Sequence, residues 1–204
     1  MILTFHDLEL KYKNYTDIKG KVARDIKEGK LFKLKKGLYE TDRKTPGSWL
    51  AGYIYGPSYI SFESALAYYN LIPEAVYNVS SATFNKRKSK EYHNVFCSFY
   101  YHDIPQDAYP LGVKTIVQGN YSYSIATAEK ALCDRIYIVP PIGSIKGLRE
   151  LLFEDLRIEE EDFDKFDKQA LFDIAPKYHS SNLNLLVKMI KGEKNDNNLE
   201  SNAQ

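Results

Sequence analysis

The amino-acid pattern predicts an α+β protein. A small N-terminal winged helix-turn-helix is expected over residues 1–45, a larger domain of mixed antiparallel sheet and helices over residues 48–191, and a disordered tail over residues 192–204. Three observations carry that reading. Residues 1–45 hold 12 Lys or Arg against 7 Asp or Glu, while the rest of the chain holds 16 against 20, so a basic unit precedes an acidic body. Within the basic unit the pattern runs short helix, turn, helix, lysine-rich hairpin, the plan of a winged helix-turn-helix. Beyond it, strands of period two and helices of period 3.6 occupy separate stretches.

Composition bounds the possibilities. The 204 residues are 44% hydrophobic and include 17 Tyr and 10 Phe, enough for an aromatic-rich core in one or two small domains. No apolar run approaches the ~18 residues of a membrane span. The start, Met-Ile-Leu-Thr-Phe-His-Asp, lacks a basic region followed by a long apolar one, so no export signal is expected. Cys97 and Cys133 then read as reduced core thiols, and the cytoplasm is the expected compartment.

Taken in order, Thr4-Phe-His-Asp7 predicts a cap with an acid three residues on, opening a helix to about Tyr12. Lys11 to Tyr15 forms a turn. Thr16 is a second cap, after which Ile18, Val22 and Ile26 make one apolar stripe with Lys21, Arg24 and Lys27 opposite. Gly29 ends that helix. Phe32-Lys33-Leu34-Lys35 alternates as a strand, Lys36-Gly37 turns, and Leu38-Tyr39 returns. Asp42 to Gly47 has linker composition, and Ser48 to Tyr55 is a buried helix or strand.

The stretch Ser58 to Glu74 predicts a helix marked at both ends. Ser61 is the N-cap, Glu63 sits in the first turn, and Phe62, Ala65, Leu66 and Tyr69 share a face. Tyr59-Ile60 packs back as a staple, Asn70 takes the left-handed position, and Pro73 stops continuation. Strands are expected over Tyr77 to Thr83, as one longer strand from Tyr92 to Ile104, and as a hairpin of Val113 to Val117 with Tyr121 to Ile125. Thr127 caps a helix to about Tyr137, in which Lys130 and Asp134 form an i,i+4 pair. Further helices follow with Ile145, Leu148, Leu151 and Leu152 on one face, then at about Asp167 to Ala175 and Asn182 to Ile190.

Two of these stretches carry a family likeness. Ser-Tyr-Ile-Ser-Phe-Glu-Ser-Ala-Leu from Ser58, closed by Leu71-Ile-Pro-Glu74, resembles a signature of the AbiEi family, antitoxins of bacterial abortive-infection (phage-defence) systems. Ile125-Ala-Thr-Ala-Glu-Lys-Ala-Leu-Cys-Asp134 is similar to that family's other hallmark, with Ala128 in place of a proline and Cys133 in place of an aliphatic residue. The likeness covers about residues 1 to 155. It implies an N-terminal winged helix-turn-helix that represses its own operon, and a body that counters a nucleotidyltransferase-like toxin without a stable complex. The helix that usually comes first in such a fold is expected to be absent or reduced. The motif residues are Ser61, Glu63, Ser64, Thr127, Glu129, Lys130 and Asp134.

On double-stranded operator DNA, expected to carry inverted repeats, Thr16, Lys19, Lys21 and Arg24 would enter the major groove. Arg24 is the best base reader, because a guanidinium can bond guanine O6 and N7 together. Lys27, Lys33, Lys35 and Lys36 would touch phosphates. A basic turn with Lys86, Arg87, Lys88 and Lys90 is a second nucleic-acid candidate, an acidic-partner contact, or an ordinary solvated loop. No nucleotide-binding glycine loop, Cys-x-x-Cys or His-Glu-x-x-His occurs, so no cofactor, metal or catalytic set is expected. Glu63, Glu129 and Asp134 leave acid–base chemistry open as an alternative. Helix-dipole stabilisation explains the two glutamates more simply. A plain regulator without a toxin partner is the remaining alternative.

Overall fold

The structure, a computed structural model, describes residues 1–73 and 77–201, with side chains as far as residue 192. Strand β1 (Ile2–Thr4) leads into α1 (Phe5–Lys11), α2 (Ile18–Lys27) and a hairpin of β2 (Phe32–Lys35) and β3 (Leu38–Glu40). The three strands form one antiparallel sheet in the order β1-β3-β2. Helix α1 starts as the spacing predicts: Thr4 Oγ1 accepts from the Asp7 amide at 3.2 Å, and the Asp7 carboxylate accepts from the Thr4 amide at 2.7 Å. Strand β1 is an addition to the sequence-based expectation, since three residues carry no readable period.

Helix α2 corrects two expectations. Its cap is Asp17, whose Oδ1 accepts from the Gly20 amide at 2.8 Å; Thr16 lies outside the helix and exposed. The buried face is Val22 with Asp25, while Ile26 is 36% exposed. An apolar stripe cannot anticipate Asp25, because its inward turn depends on the Tyr12 hydroxyl from outside the helix as well as on Lys21. The hairpin turns at Lys36-Gly37 as predicted, with Gly37 at φ +77°, which suits a residue without Cβ. The Gly37 carbonyl accepts from the Phe5 amide at 2.9 Å, so the hairpin tip lies against the start of α1.

Leu8, Tyr12, Val22, Leu31 and Tyr39 make a small core within this unit, but Leu34 and Leu38 belong to the main core. Phe32 meets Phe96 edge-on at 6.0 Å, and Asn94 Nδ2 donates to the Leu34 carbonyl at 3.3 Å. Glu40, fully buried, accepts from the Tyr121 hydroxyl at 3.0 Å. The basic unit and the body therefore share packing.

The body comprises α3 (Gly47–Ile54), β4 (Tyr59–Ile60), α4 (Phe62–Tyr68), β5 (Val79–Thr83), β6 (Lys90–His93), β7 (Ser98–Asp103), β8 (Val113–Gln118), β9 (Tyr121–Ala126) and α5 (Ala128–Tyr137). Its six-stranded sheet has the order β6-β7-β5-β4-β9-β8. The β4–β9 and β5–β7 pairs are parallel and the others antiparallel, so the architecture is α+β with a mixed sheet. Tyr59-Ile60 is not a staple but a central strand. The single strand expected from Tyr92 to Ile104 is two: Asn94 Oδ1 accepts from the Phe96 amide at 2.9 Å and folds the chain back, pairing His93 with Ser98.

Helix α6 (Ile145–Arg149), a π-helical turn (Glu150–Asp155), α7 (Glu160–Asp164), α8 (Lys168–Ile174), a 3₁₀ turn (Ala175–Tyr178) and α9 (Ser181–Ser201) complete the described chain. Leu148, Leu151 and Leu152 are buried as predicted, but Ile145 is 40% exposed. Helix α9 runs beyond the expected Asn182 to Ile190; the stretch from residue 192 expected to lack structure is helical backbone to Ser201, and residues 202–204 lie outside the described residues. The buried Asn182 docks α9 on the end of α5: its amide group donates to the Ile136, Val139 and Pro140 carbonyls, and its Oδ1 accepts from the Ile142 amide at 2.7 Å. Among the described residues no helix is long and apolar enough to cross a membrane.

Candidate nucleic-acid interface and a buried polar cluster

Helix α2 turns Lys19, Ala23, Arg24 and Lys27 to solvent. Among the described residues, none of Lys19, Arg24, Lys27, Lys33 and Lys36 forms a salt bridge, so their charges face solvent without a carboxylate to neutralise them. Two residues expected in this set are placed otherwise. Lys21 Nζ lies 2.5 Å from Asp25 Oδ1 with its side chain 19% exposed, and Lys35 Nζ donates to the Ile54 carbonyl at 2.5 Å. Lys21 is neutralised by Asp25, whereas Lys35 keeps its charge but is tethered to a backbone carbonyl.

Asp25 is 1% exposed and also accepts from the Tyr12 hydroxyl at 2.6 Å. Burial pushes its carboxyl up, but the hydrogen bonds from Lys21 and Tyr12 outweigh this and hold the pKa below the ordinary carboxylate value. Burial, with Asp25 adding to it, raises the Tyr12 phenol to about 12. A folded pKa below the unfolded one contributes stability above the unfolded pKa and loses it as pH falls through the folded value. Asp25→Asn is thus expected to cost about 1–3 kcal/mol near neutral pH, the scale of hydrogen bonds to a charged group. The gap from the parent should narrow below about pH 4. Urea melts at several pH values measure it, and a gap that widened in acid would contradict the arrangement.

The basic turn is also only partly free. The Lys86 and Arg87 amides donate to Asp103 Oδ2 at 2.9 and 2.8 Å, and Lys86 Nζ sits 5.4 Å from the Tyr55 ring centroid. Lys90 belongs to β6. Arg87 and Lys88 are exposed.

Of the motif residues, Ser61 and Lys130 meet on the Asp134 carboxylate, joined by Tyr59 and Tyr178. Asp134, fully buried on α5, accepts from Ser61 Oγ at 2.6 Å and the Tyr59 hydroxyl at 2.9 Å through Oδ2. Its Oδ1 takes the Tyr178 hydroxyl at 2.5 Å and Lys130 Nζ at 3.1 Å, and Lys130 also donates to the Tyr178 hydroxyl. Lys130 has no exposed surface, so the expected i,i+4 pair is present and buried. Burial pushes the Lys130 ammonium pKa down against the pull of Asp134. Burial first, and the Asp134 charge after it, push the Tyr59 and Tyr178 phenols well up, keeping both as donors.

Strand β4 feeds α4 so abruptly that Phe62 takes φ +54°, a conformation costing on the order of 1–3 kcal/mol for a residue with Cβ. Complete burial and an edge contact with His102 at 5.2 Å hold it there. The turn corrects the capping expectation: Ser61 is N-cap by position, but its hydroxyl points to Asp134 and caps nothing. Ser64 Oγ accepts from the Ser80 amide at 2.8 Å, tying α4 to β5. Asn70 is left-handed as predicted, and the Asn70 and Leu71 amides reach back to Ala67 and Leu66 to close the helix.

On α5, Thr127 Oγ1 accepts from the Lys130 amide at 3.3 Å, the expected cap. Gly112, at φ +61°, passes so close that an added Cβ would meet Lys130 Cβ at 2.9 Å. The two glutamates sit in first turns as expected, and each has a further partner. Glu63 Oε1 lies 2.5 Å from Arg135 Nε, an ion pair in which the N–H is not aimed along the contact. Glu129 Oε1 accepts from the Asp167 amide at 3.2 Å. Cys97 and Cys133 are unpaired thiols; burial raises Cys97 to about 11 and pushes Cys133 up as well.

No protein-family model and no curated protein matches this chain.

Proposed function

We propose that the chain is a DNA-binding transcriptional autorepressor whose body acts as an antitoxin against a nucleotidyltransferase-like toxin, in the cytoplasm and without a stable complex. The observation that carries the DNA half is the unneutralised face of Lys19, Arg24 and Lys27 on the second of two successive helices. The sheet order β1-β3-β2 beside those helices supports reading the unit as a winged helix-turn-helix. In this reading α2 enters the major groove of an operator with inverted repeats, Arg24 reads a base beside Thr16 and Lys19, and Lys27, Lys33 and Lys36 touch phosphates. Lys21 and Lys35 shape the unit.

The antitoxin half rests on the likeness of the two motifs to AbiEi proteins. Its support is that both motifs close on Asp134 and so behave as one structural unit. The acidic residues favour scaffold over catalysis: Asp134 is sealed from solvent, and Glu63 and Glu129 are engaged. Arg24→Ala is expected to weaken binding to the chain's own promoter by about 1–3 kcal/mol and binding to random DNA by less. Titrations on both DNAs test it; no loss on either removes α2 from the interface. Co-expression with the toxin encoded next to the gene tests the other half, and failure to rescue growth rejects it.

A further inference from the structure

The six-stranded sheet ends in β6 on one side and β8 on the other, and the two edges differ. β6 carries Lys90, Glu91 and His93, and the basic hairpin lies beside it: residues 92–95 line a groove with residues 32–36, bridged by the Asn94 to Leu34 hydrogen bond. β8 reads Val-Lys-Thr-Ile-Val-Gln, with four β-branched residues, one charge and no proline. Among the described residues it packs chiefly on β9, and Val117 is 70% exposed. Charge, coverage and shortness are the usual protections of a strand edge, and β8 has little of any.

The register says which groups are open. Gln118 pairs with Tyr121 across a two-residue turn, a hydrogen-bonded pair, and the Thr127 amide donating to the Gly112 carbonyl at 2.7 Å is a rung of the same set. Even-numbered residues of β8 thus bond to β9, and Val113, Thr115 and Val117 direct their amides and carbonyls outward.

We propose that this edge pairs antiparallel with β8 of a second copy about a two-fold axis, joining the two sheets into one. Matching the outward groups puts Thr115 on the axis against its own copy, Val113 against Val117, and Lys114 against Ile116. No like charges meet, and the threonine and valine pairs are of the favourable cross-strand kind. The pairing does not depend on the DNA-binding reading. A single strand pair is small beside a standard interface of about 1,600 Å², so a micromolar dissociation constant is expected.

Sedimentation velocity of the full chain from ~1 to ~200 µM is expected to show a monomer–dimer equilibrium in this range. Thr115→Lys and Thr115→Glu each place like charges on the axis and should raise the dissociation constant about tenfold or more. An equimolar mixture of the two should regain the dimer, because Lys then faces Glu. Unchanged thermal melts would show that the exposed substitutions leave the fold intact. A parent that stays monomeric throughout overturns the proposal and leaves the edge to a strand of another protein. A dimer indifferent to both variants, or a mixture that fails to recover, places the interface elsewhere.

Discussion

Asp134→Ala is expected to cost about 3–5 kcal/mol, the scale of removing one partner of a buried ion pair, and so to leave little of the ~5–15 kcal/mol a domain has. The loss is large because Asp134 accepts from four groups. Without it Lys130 is a buried charge with no counter-ion, and the hydroxyls of Ser61, Tyr59 and Tyr178 lose their acceptor. Lys130→Ala should cost less, since the three hydroxyls still serve the carboxylate. Replacing both, Lys130→Met with Asp134→Leu, should recover much of the loss, because apolar groups of similar volume need no partner. Chemical-denaturation melts of the three variants decide it. If Asp134→Ala melts within about 1 kcal/mol of the parent, water reaches the carboxylate and the cluster is open.

Leu66→Ala and Leu132→Ala should each cost about 2–5 kcal/mol. Both side chains are completely buried, Leu66 in α4 and Leu132 in α5, two helices packed on each other over the sheet. Glu63→Gln and Glu129→Gln, on the same helices, should cost only about 0.3–1 kcal/mol, as expected for partly exposed ion-pair and first-turn carboxylates. A toxin-rescue assay run beside the melts separates scaffold from chemistry. Glutamine variants that melt like the parent yet protect no cells would assign the carboxylates a direct role and reject the scaffold reading.

The sequence by itself determined the elements whose causes are local. The Thr4–Asp7 capping box, the Thr127 cap of α5, the left-handed Asn70 and the β8–β9 hairpin each depend on residues a few positions apart, and each is present as read. The exposed Arg24 and Lys27 were legible for the same reason, since a helix sorts its faces by a fixed angle, whereas Lys21, read on the same arc, turns to Asp25. Tertiary structure alone decided what depends on residues far along the chain. Lys130 and Asp134 read only as an i,i+4 pair until Tyr59, Ser61 and Tyr178 arrive from other elements to enclose them. Ser61 looks like a helix cap until a carboxylate on another helix takes its proton donor, and Asp25 looks solvated until Tyr12, from the end of the preceding helix, turns it inward. The short strands β1 and β4 exist only through their partners, because two or three residues carry no period and gain their hydrogen bonds from the sheet.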